Sequence, residues 1–189
     1  IDRTGEKIGF CGESSTIKAA LASVHNWEEP PISGTKGSGT IFFTGCNLKC
    51  VFCQNYSISS EHSGKEISVE RLSEIMLEQQ ARDVHNINLV TAVHFVPSVI
   101  KAVEKARQNG LTIPIVYNSS GYEKADTIKM LEGTVDIYLP DIKYFSSKLS
   151  AKYSSAPDYF EYASAAVKEM HRQCGNVIFD ENGIMQKGI

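Results

Sequence analysis

Three of the five cysteines in this chain fall within eight residues, at Cys46, Cys50 and Cys53 of the stretch Phe43–Tyr56, FTGCNLKCVFCQNY. Thiols so crowded can form a strained local disulfide, sit inert, or turn toward one centre as thiolate ligands. An odd cysteine count and clustering rather than even spacing argue for thiols kept reduced. A C-x3-C-x2-C run supplies three ligands. Structural zinc takes four, and Cys11 or Cys174 is a candidate for the missing one. Iron–sulfur clusters are also held by grouped thiolates, and a cubane bound by three leaves one iron open. Spacing alone does not separate these uses.

The elements that must position the thiols follow a regular order. IFF (41–43), INLV (87–90), IPIVY (113–117), VDIYL (135–139) and VIF (177–179) are runs of Ile, Val and aromatics with little polar alternation. That is the signature of strands buried on both faces. Between them lie helical patterns. Residues 68–82 have Ser68 as N-cap and Val69, Leu72, Ile75 and Met76 at helical spacing. A second starts near Pro97, with Val96, Ile100, Val103 and Ala106 as its stripe and Gly110 as its stop. Residues 122–132 and 158–174 complete the set. Alternating strands and helices imply an α/β fold with a parallel sheet and right-handed crossovers. The first strand is not followed by Gly-x-Gly-x-x-Gly, which removes the main support for a dinucleotide fold.

Residues able to do chemistry gather where these strands end. The cysteines begin just past the first, Thr91 and His94 follow the second, Asn118 and Ser119 the third, and Asp141 and Lys143 the fourth. In parallel α/β folds ligands bind at the carboxyl ends of the strands. Polar residues that merely begin loops explain part of this pattern, but not why the amino ends carry so little.

Composition bounds the function. The chain has 189 residues, 42% hydrophobic and 22% charged, as an ordinary globular domain has. A net charge of -3 gives no reason to expect nucleic acid as a partner. The apolar runs are too short to cross a membrane and the start lacks a signal-peptide pattern, so a cytoplasmic protein is expected. Residues 1–39, rich in Gly and Pro, read as an irregular lead-in to a domain at 40–189. The ending Gln186–Ile189 reads as the approach to a further strand, so the domain is expected to be part of something longer.

The stretch at 43–56 resembles the radical S-adenosylmethionine enzymes, whose signature is C-x3-C-x-Φ-C with Φ aromatic. Cys46, Cys50, Phe52 and Cys53 match it at every position. More narrowly, TGCNLKCVFCQNYSIS, DRTGEKIGFCG, NINLVTAVHFVPSVI, PIVYNSSGYE and DIYLPDIKY are similar to proteins related to the pyruvate formate-lyase activating enzyme. The resemblance implies a partial (β/α)6-type barrel, incomplete in this chain, and a [4Fe–4S] cluster on Cys46, Cys50 and Cys53. S-adenosylmethionine would chelate the open iron and be cleaved reductively to a 5′-deoxyadenosyl radical for hydrogen abstraction, the protein orienting and shielding the reactants. The implied partners are an electron donor such as flavodoxin or ferredoxin, and either a glycyl-radical enzyme or a small-molecule substrate.

The same resemblance makes Phe52 a neighbour of the adenine. Thr91 and His94 stand where the activating enzymes hold Gly-Gly-Glu, and Ala92 and Val93 depart from the pattern of the narrower branch. Asn118 and Ser119 resemble the turn that reaches the ribose, and Asp141 and Lys143 an Asp-x-Lys near the sulfonium. An ordinary ion pair at the barrel rim is the alternative for the last two. Cys174 lies on an apolar helical stripe and reads as a buried small hydrophobe. Cys11 resembles the last member of a separate upstream cysteine group and is not counted as a ligand. His62 is near enough to line the pocket. The competing reading is a zinc or electron-transfer module without catalysis. Whatever the metal, the loop is expected to have few packing contacts and to depend on it for order.

Overall fold

A computed structural model describes residues 7–189. Its sheet has six strands in the order β3-β1-β2-β4-β5-β6, these being Lys65–Glu66, Lys18–His25, Ser38–Phe43, Ile87–Val90, Ile115–Ser119 and Ile137–Pro140. The run β2-β4-β5-β6 is parallel throughout, with Phe42 opposite Val90, Val90 opposite Asn118, and Asn118 opposite Leu139. The sheet stays open, with β3 and β6 at its ends, so this is a partial barrel and not a closed one. The α/β class and the four parallel strands are those expected from the apolar runs.

Two expectations give way. Among the described residues before residue 40 the lead-in is not irregular throughout: β1 lies antiparallel along β2, His25 against Ser38 at one end and Ala19 against Phe43 at the other. Its sequence, KAALASVH, is Ala-rich and mostly half-buried, so intrinsic preference hides it. Cross-strand pairing supplies what propensity does not. The run at 177–179 is the second correction. Ile178–Phe179 (β7) leaves the main sheet and pairs with Met185–Lys187 (β8) in a small hairpin, with both Ile178 and Phe179 about half exposed. Beside β6 lies instead Gly188, bridged in parallel to Ile137.

Four helices cover the convex face. They are α3 (Val69–Gln80), α4 (Val96–Gln108), α5 (Ala125–Lys129) and α7 (Tyr159–Cys174). Ser68 caps α3 by accepting from the Arg71 N–H at 3.1 Å. Pro occupies the first turn of α4, where its missing N–H costs nothing. Leu72, Met76, Leu89, Val99, Tyr117 and Tyr138 are fully buried between these helices and the sheet. The helix expected over 122–132 shrinks to the single turn of α5 because Tyr122 and Glu123 are held in the preceding loop.

The concave face is different. Successive strand residues alternate faces, so Thr40, Asn88, Val116 and Ile137 line its lower tier and Phe42, Val90, Asn118 and Leu139 its upper one. The short helix α1 (Pro30–Ser33) tucks Ile32 against Val116 and Ile137 and closes the bottom. Asn86 donates to the Ile32 carbonyl at 2.8 Å and fixes the plug. Two further short helices, α2 (Tyr56–Ser59) and α6 (Ser147–Ser154), flank the cysteine loop.

Candidate active site

The cysteine loop leaves β2 through Thr44 and Gly45. Gly45 has φ of +77°, and a Cβ there would stand 2.7 Å from the Cys11 carbonyl oxygen, so glycine is required. The segment around Cys11 thus lies directly beneath the loop, where Glu13 meets His62 at 2.8 Å. His62 belongs to this buttress. The backbone of the loop runs along the end of α6: Lys49 N–H donates to the Ser154 carbonyl at 3.1 Å and Val51 N–H to the Tyr153 carbonyl at 2.9 Å. Leu48 is buried against Ala156, Tyr159 and Ala163, with Cys46 and Cys50 packed beside it. The expectation of a loop with few packing contacts is therefore overturned. One leucine, inserted between the first two cysteines, gives the loop its own small core.

All five cysteines are free thiols. Among the described residues no three Cys, His, Asp or Glu side chains converge tightly enough for a single metal ion. Each of the three clustered sulfurs nonetheless meets a polar partner. Leu48 N–H reaches Cys46 Sγ at 3.4 Å, Ser154 Oγ donates to Cys50 Sγ at 2.9 Å, and Ser59 Oγ lies 3.3 Å from Cys53 Sγ. Burial pushes the Cys46 thiol above its ordinary pKa, partly offset by the Leu48 N–H, and the neighbouring Cys50 and Cys53 push it further up. Three free thiols in mutual electrostatic range on one anchored loop are a donor set that suits a thiolate-held cluster. Cys174 cannot join them. Its Sγ lies 3.4 Å from the Asp136 carbonyl, at the amino end of β6, and it is buried as expected of a small hydrophobe.

The other site residues sit at the carboxyl ends of the parallel strands, and their side chains part company there. Thr91 has φ of +60°, a strained left-handed conformation for a β-branched residue, and its N–H donates to the Asn118 carbonyl at 2.9 Å. His94 is buried, and its Nε2 donates to the Thr44 carbonyl at 2.6 Å. It pins the base of the cysteine loop. Asn118 is half-buried on the concave face, whereas Ser119, on the same side of β5 as Tyr117, is buried toward the helices and accepts from Gly121 N–H at 3.1 Å. Asp141 and Lys143 form an exposed ion pair. Phe52 is 55% exposed, its ring centroid 6.5 Å from that of Tyr144.

Tyr159 was not legible as a site residue. Fully buried at the start of α7, its hydroxyl lies 2.7 Å from the Ser120 carbonyl, 2.9 Å from the Asp141 carbonyl and 2.9 Å from the Lys143 N–H. It ties the loops after β5 and β6 together. Burial raises its pKa to about 12, so it stays a phenol able to donate. Tyr144 was also missed; its hydroxyl lies 2.7 Å from the Ser154 hydroxyl that serves Cys50.

Comparison with known proteins bears on the whole arrangement. The family model described as Radical SAM superfamily matches residues 40–180. An uncharacterized protein of Methanocaldococcus jannaschii is 33% identical over 129 residues, covering 66% of this chain and 38% of that protein. The chain thus spans well under half the length of that curated relative. No helix among the described residues is long and apolar enough to cross a membrane. A match that begins within β2 and runs past β7 takes in the thiol loop and every parallel strand that carries the site, and the chain belongs to the Radical SAM superfamily.

Proposed function

We propose that this chain is the core of an enzyme that holds a [4Fe–4S] cluster on Cys46, Cys50 and Cys53 and acts on S-adenosylmethionine. Held there, such a cluster would supply the one electron needed to cleave a carbon–sulfur bond of the sulfonium reductively, and so would make hydrogen abstraction from a substrate possible. The observation that carries the reading is the anchored loop with three free thiols at the carboxyl edge of the sheet, aromatic Phe52 among them. The chain's own part is positioning. Leu48 and the α6 ladder hold the loop, Tyr159 sets the height of the Asp141–Lys143 segment beside it, and His94 fixes the loop's root. Asp141 and Lys143 offer one anionic and one cationic group, which suits a zwitterionic amino acid group and a sulfonium. Thr91 and Asn118, whose backbones are bonded to each other, lie at the carboxyl ends of the neighbouring strands β4 and β5 and add polar side chains to that edge.

The narrower likeness to activating enzymes extends the proposal to hydrogen abstraction from a protein glycine or from a small molecule, with a flavodoxin or ferredoxin as electron donor. Protein purified and reconstituted without oxygen should bind iron and sulfide, and with dithionite and S-adenosylmethionine should release 5′-deoxyadenosine. A fully loaded cluster that yields none overturns the proposal, as does a protein that takes up zinc alone.

A further inference from the structure

The concave face contains a polar group that the proposed chemistry at the thiol edge does not use. Glu28 lies in the turn between β1 and α1, its own N–H held by Ser33 Oγ at 2.9 Å. Its half-buried side chain reaches up the inside of the sheet, where Asn118 Nδ2 is 3.5 Å from Oε2. That is a long and weak contact. Below it Asn88 is fully buried, and neither its Nδ2 nor its Oδ1 makes a hydrogen bond of normal geometry, although the amide is near enough to favour the charged form of Glu28. A buried amide with both ends unsatisfied is uncommon, because each end costs roughly 1–3 kcal/mol. Among the described residues Glu28 makes no ion pair with a Lys, Arg or His.

The surrounding charges are mixed: His25 favours the ionised carboxylate, and Glu29 and Asp141 oppose it. His25, Glu29 and Asp141 are the charged or titratable groups that act on Glu28, and Lys143 on this edge lies against Asp141 rather than Glu28. Burial raises the carboxyl's pKa, partly offset by His25, with Glu29 and Asp141 adding to the rise. A half-buried carboxyl that makes no ion pair, beside two carboxamides of which the fully buried Asn88 makes no hydrogen bond of normal geometry, suits a cation that also donates hydrogen bonds. The apolar trio Ile32, Val116 and Ile137 lies beneath it, on the same face. We propose that Glu28, Asn88 and Asn118 form a substrate subsite that holds an alkylammonium group on the concave face, below the thiol edge. The substrate role rests on the function proposed above, whereas the cation site stands on its own geometry.

Three probes that differ only in head group test it: pentylammonium, pentan-1-ol and pentanoate. Binding to the full chain is followed by saturation-transfer NMR and calorimetry, with the fluorescence of Trp27, the chain's single tryptophan and the neighbour of Glu28, as a second readout. Pentylammonium is expected to bind saturably and the other two at least tenfold more weakly. Glu28→Gln, which keeps the shape of the side chain, should weaken pentylammonium at least tenfold, and Asn88→Ala several-fold. Equal binding of all three probes, absent binding of pentylammonium, or Glu28→Gln leaving its affinity unchanged overturns the subsite. These measurements need no cluster, so the two proposals fail separately. A protein that makes 5′-deoxyadenosine and binds no pentylammonium disproves the subsite alone. One that binds pentylammonium and makes no 5′-deoxyadenosine keeps the cation site but not its role toward a radical substrate.

Discussion

Ser154 donates to the Cys50 sulfur at 2.9 Å, and with its proton so used its oxygen is left to accept from Tyr144 at 2.7 Å. Ser59 Oγ lies 3.3 Å from the Cys53 sulfur. A hydrogen bond to a ligating thiolate stabilises the more negative, reduced state of whatever metal group it holds, and so raises its potential. Removing one such bond costs about 1 kcal/mol, which for a one-electron couple is about 40 mV. Ser154→Ala is therefore expected to lower the cluster midpoint by about that amount, read by redox titration with electron paramagnetic resonance, without loss of bound iron. An unchanged potential would mean that the serine only packs. At this scale the cysteine motif and Phe52 were legible, because ligand spacing is local. Ser154 and Tyr144 were not, since they come from α6 and the loop before it, about a hundred residues away, whose register against the cysteine loop no local pattern shows.

The loops that end β5 and β6 act as one unit. Gly121 has φ of +72°, and a Cβ there would stand 2.4 Å from the Asp141 carbonyl oxygen, the same carbonyl to which Tyr159 donates. Backbone contacts that close leave no room for any side chain. Gly121→Ala should lower stability by at least about 2 kcal/mol, from backbone strain plus displacement of the neighbouring loop. Thermal unfolding measures the loss, and a variant within about 0.5 kcal/mol of the parent would show that the two loops separate freely. Four of the five expected strands were recognisable because burial on both faces demands continuous apolar runs. VIF at 177–179 has the same composition but lies about half exposed in a hairpin, since composition reports β preference and not which edge a strand joins. β1 was invisible for the opposite reason: its three alanines need a neighbour on each side, and β2 and β3 provide them.

Across the whole molecule the helix–sheet layer carries a buried acid. Glu123 is 3% exposed and accepts from Tyr117 at 2.8 Å, and burial raises its pKa to about 7, against the lowering by Ser119 and Tyr117. The native state then holds this proton more tightly than the unfolded chain, whose carboxyl titrates near 4.5. Stability from this group falls as pH rises from about 4.5 and levels off above about 7, a difference of about 3 kcal/mol. Glu123→Gln keeps an acceptor for Tyr117 and cannot ionise, so its stability should be flatter over that range than the parent's. Denaturant unfolding between pH 5 and 8 tests this, and parallel curves for both proteins would place the titration elsewhere.

What the sequence by itself determined is the chemistry and the class of scaffold: three thiols at ligand spacing with an aromatic beside the last, and strands whose carboxyl ends bear the polar residues. Both are short-range properties, set by spacing along a loop and by burial along a strand. Only the tertiary structure decided which polar residues share a space. Strand alternation and the path of each loop sent Ser119 to the helix layer, used His94 as a pin under the loop, and left Asn118 on the concave face beside Glu28. A residue's side of the sheet depends on register, and its partners depend on chain crossings, neither of which a single stretch of sequence contains.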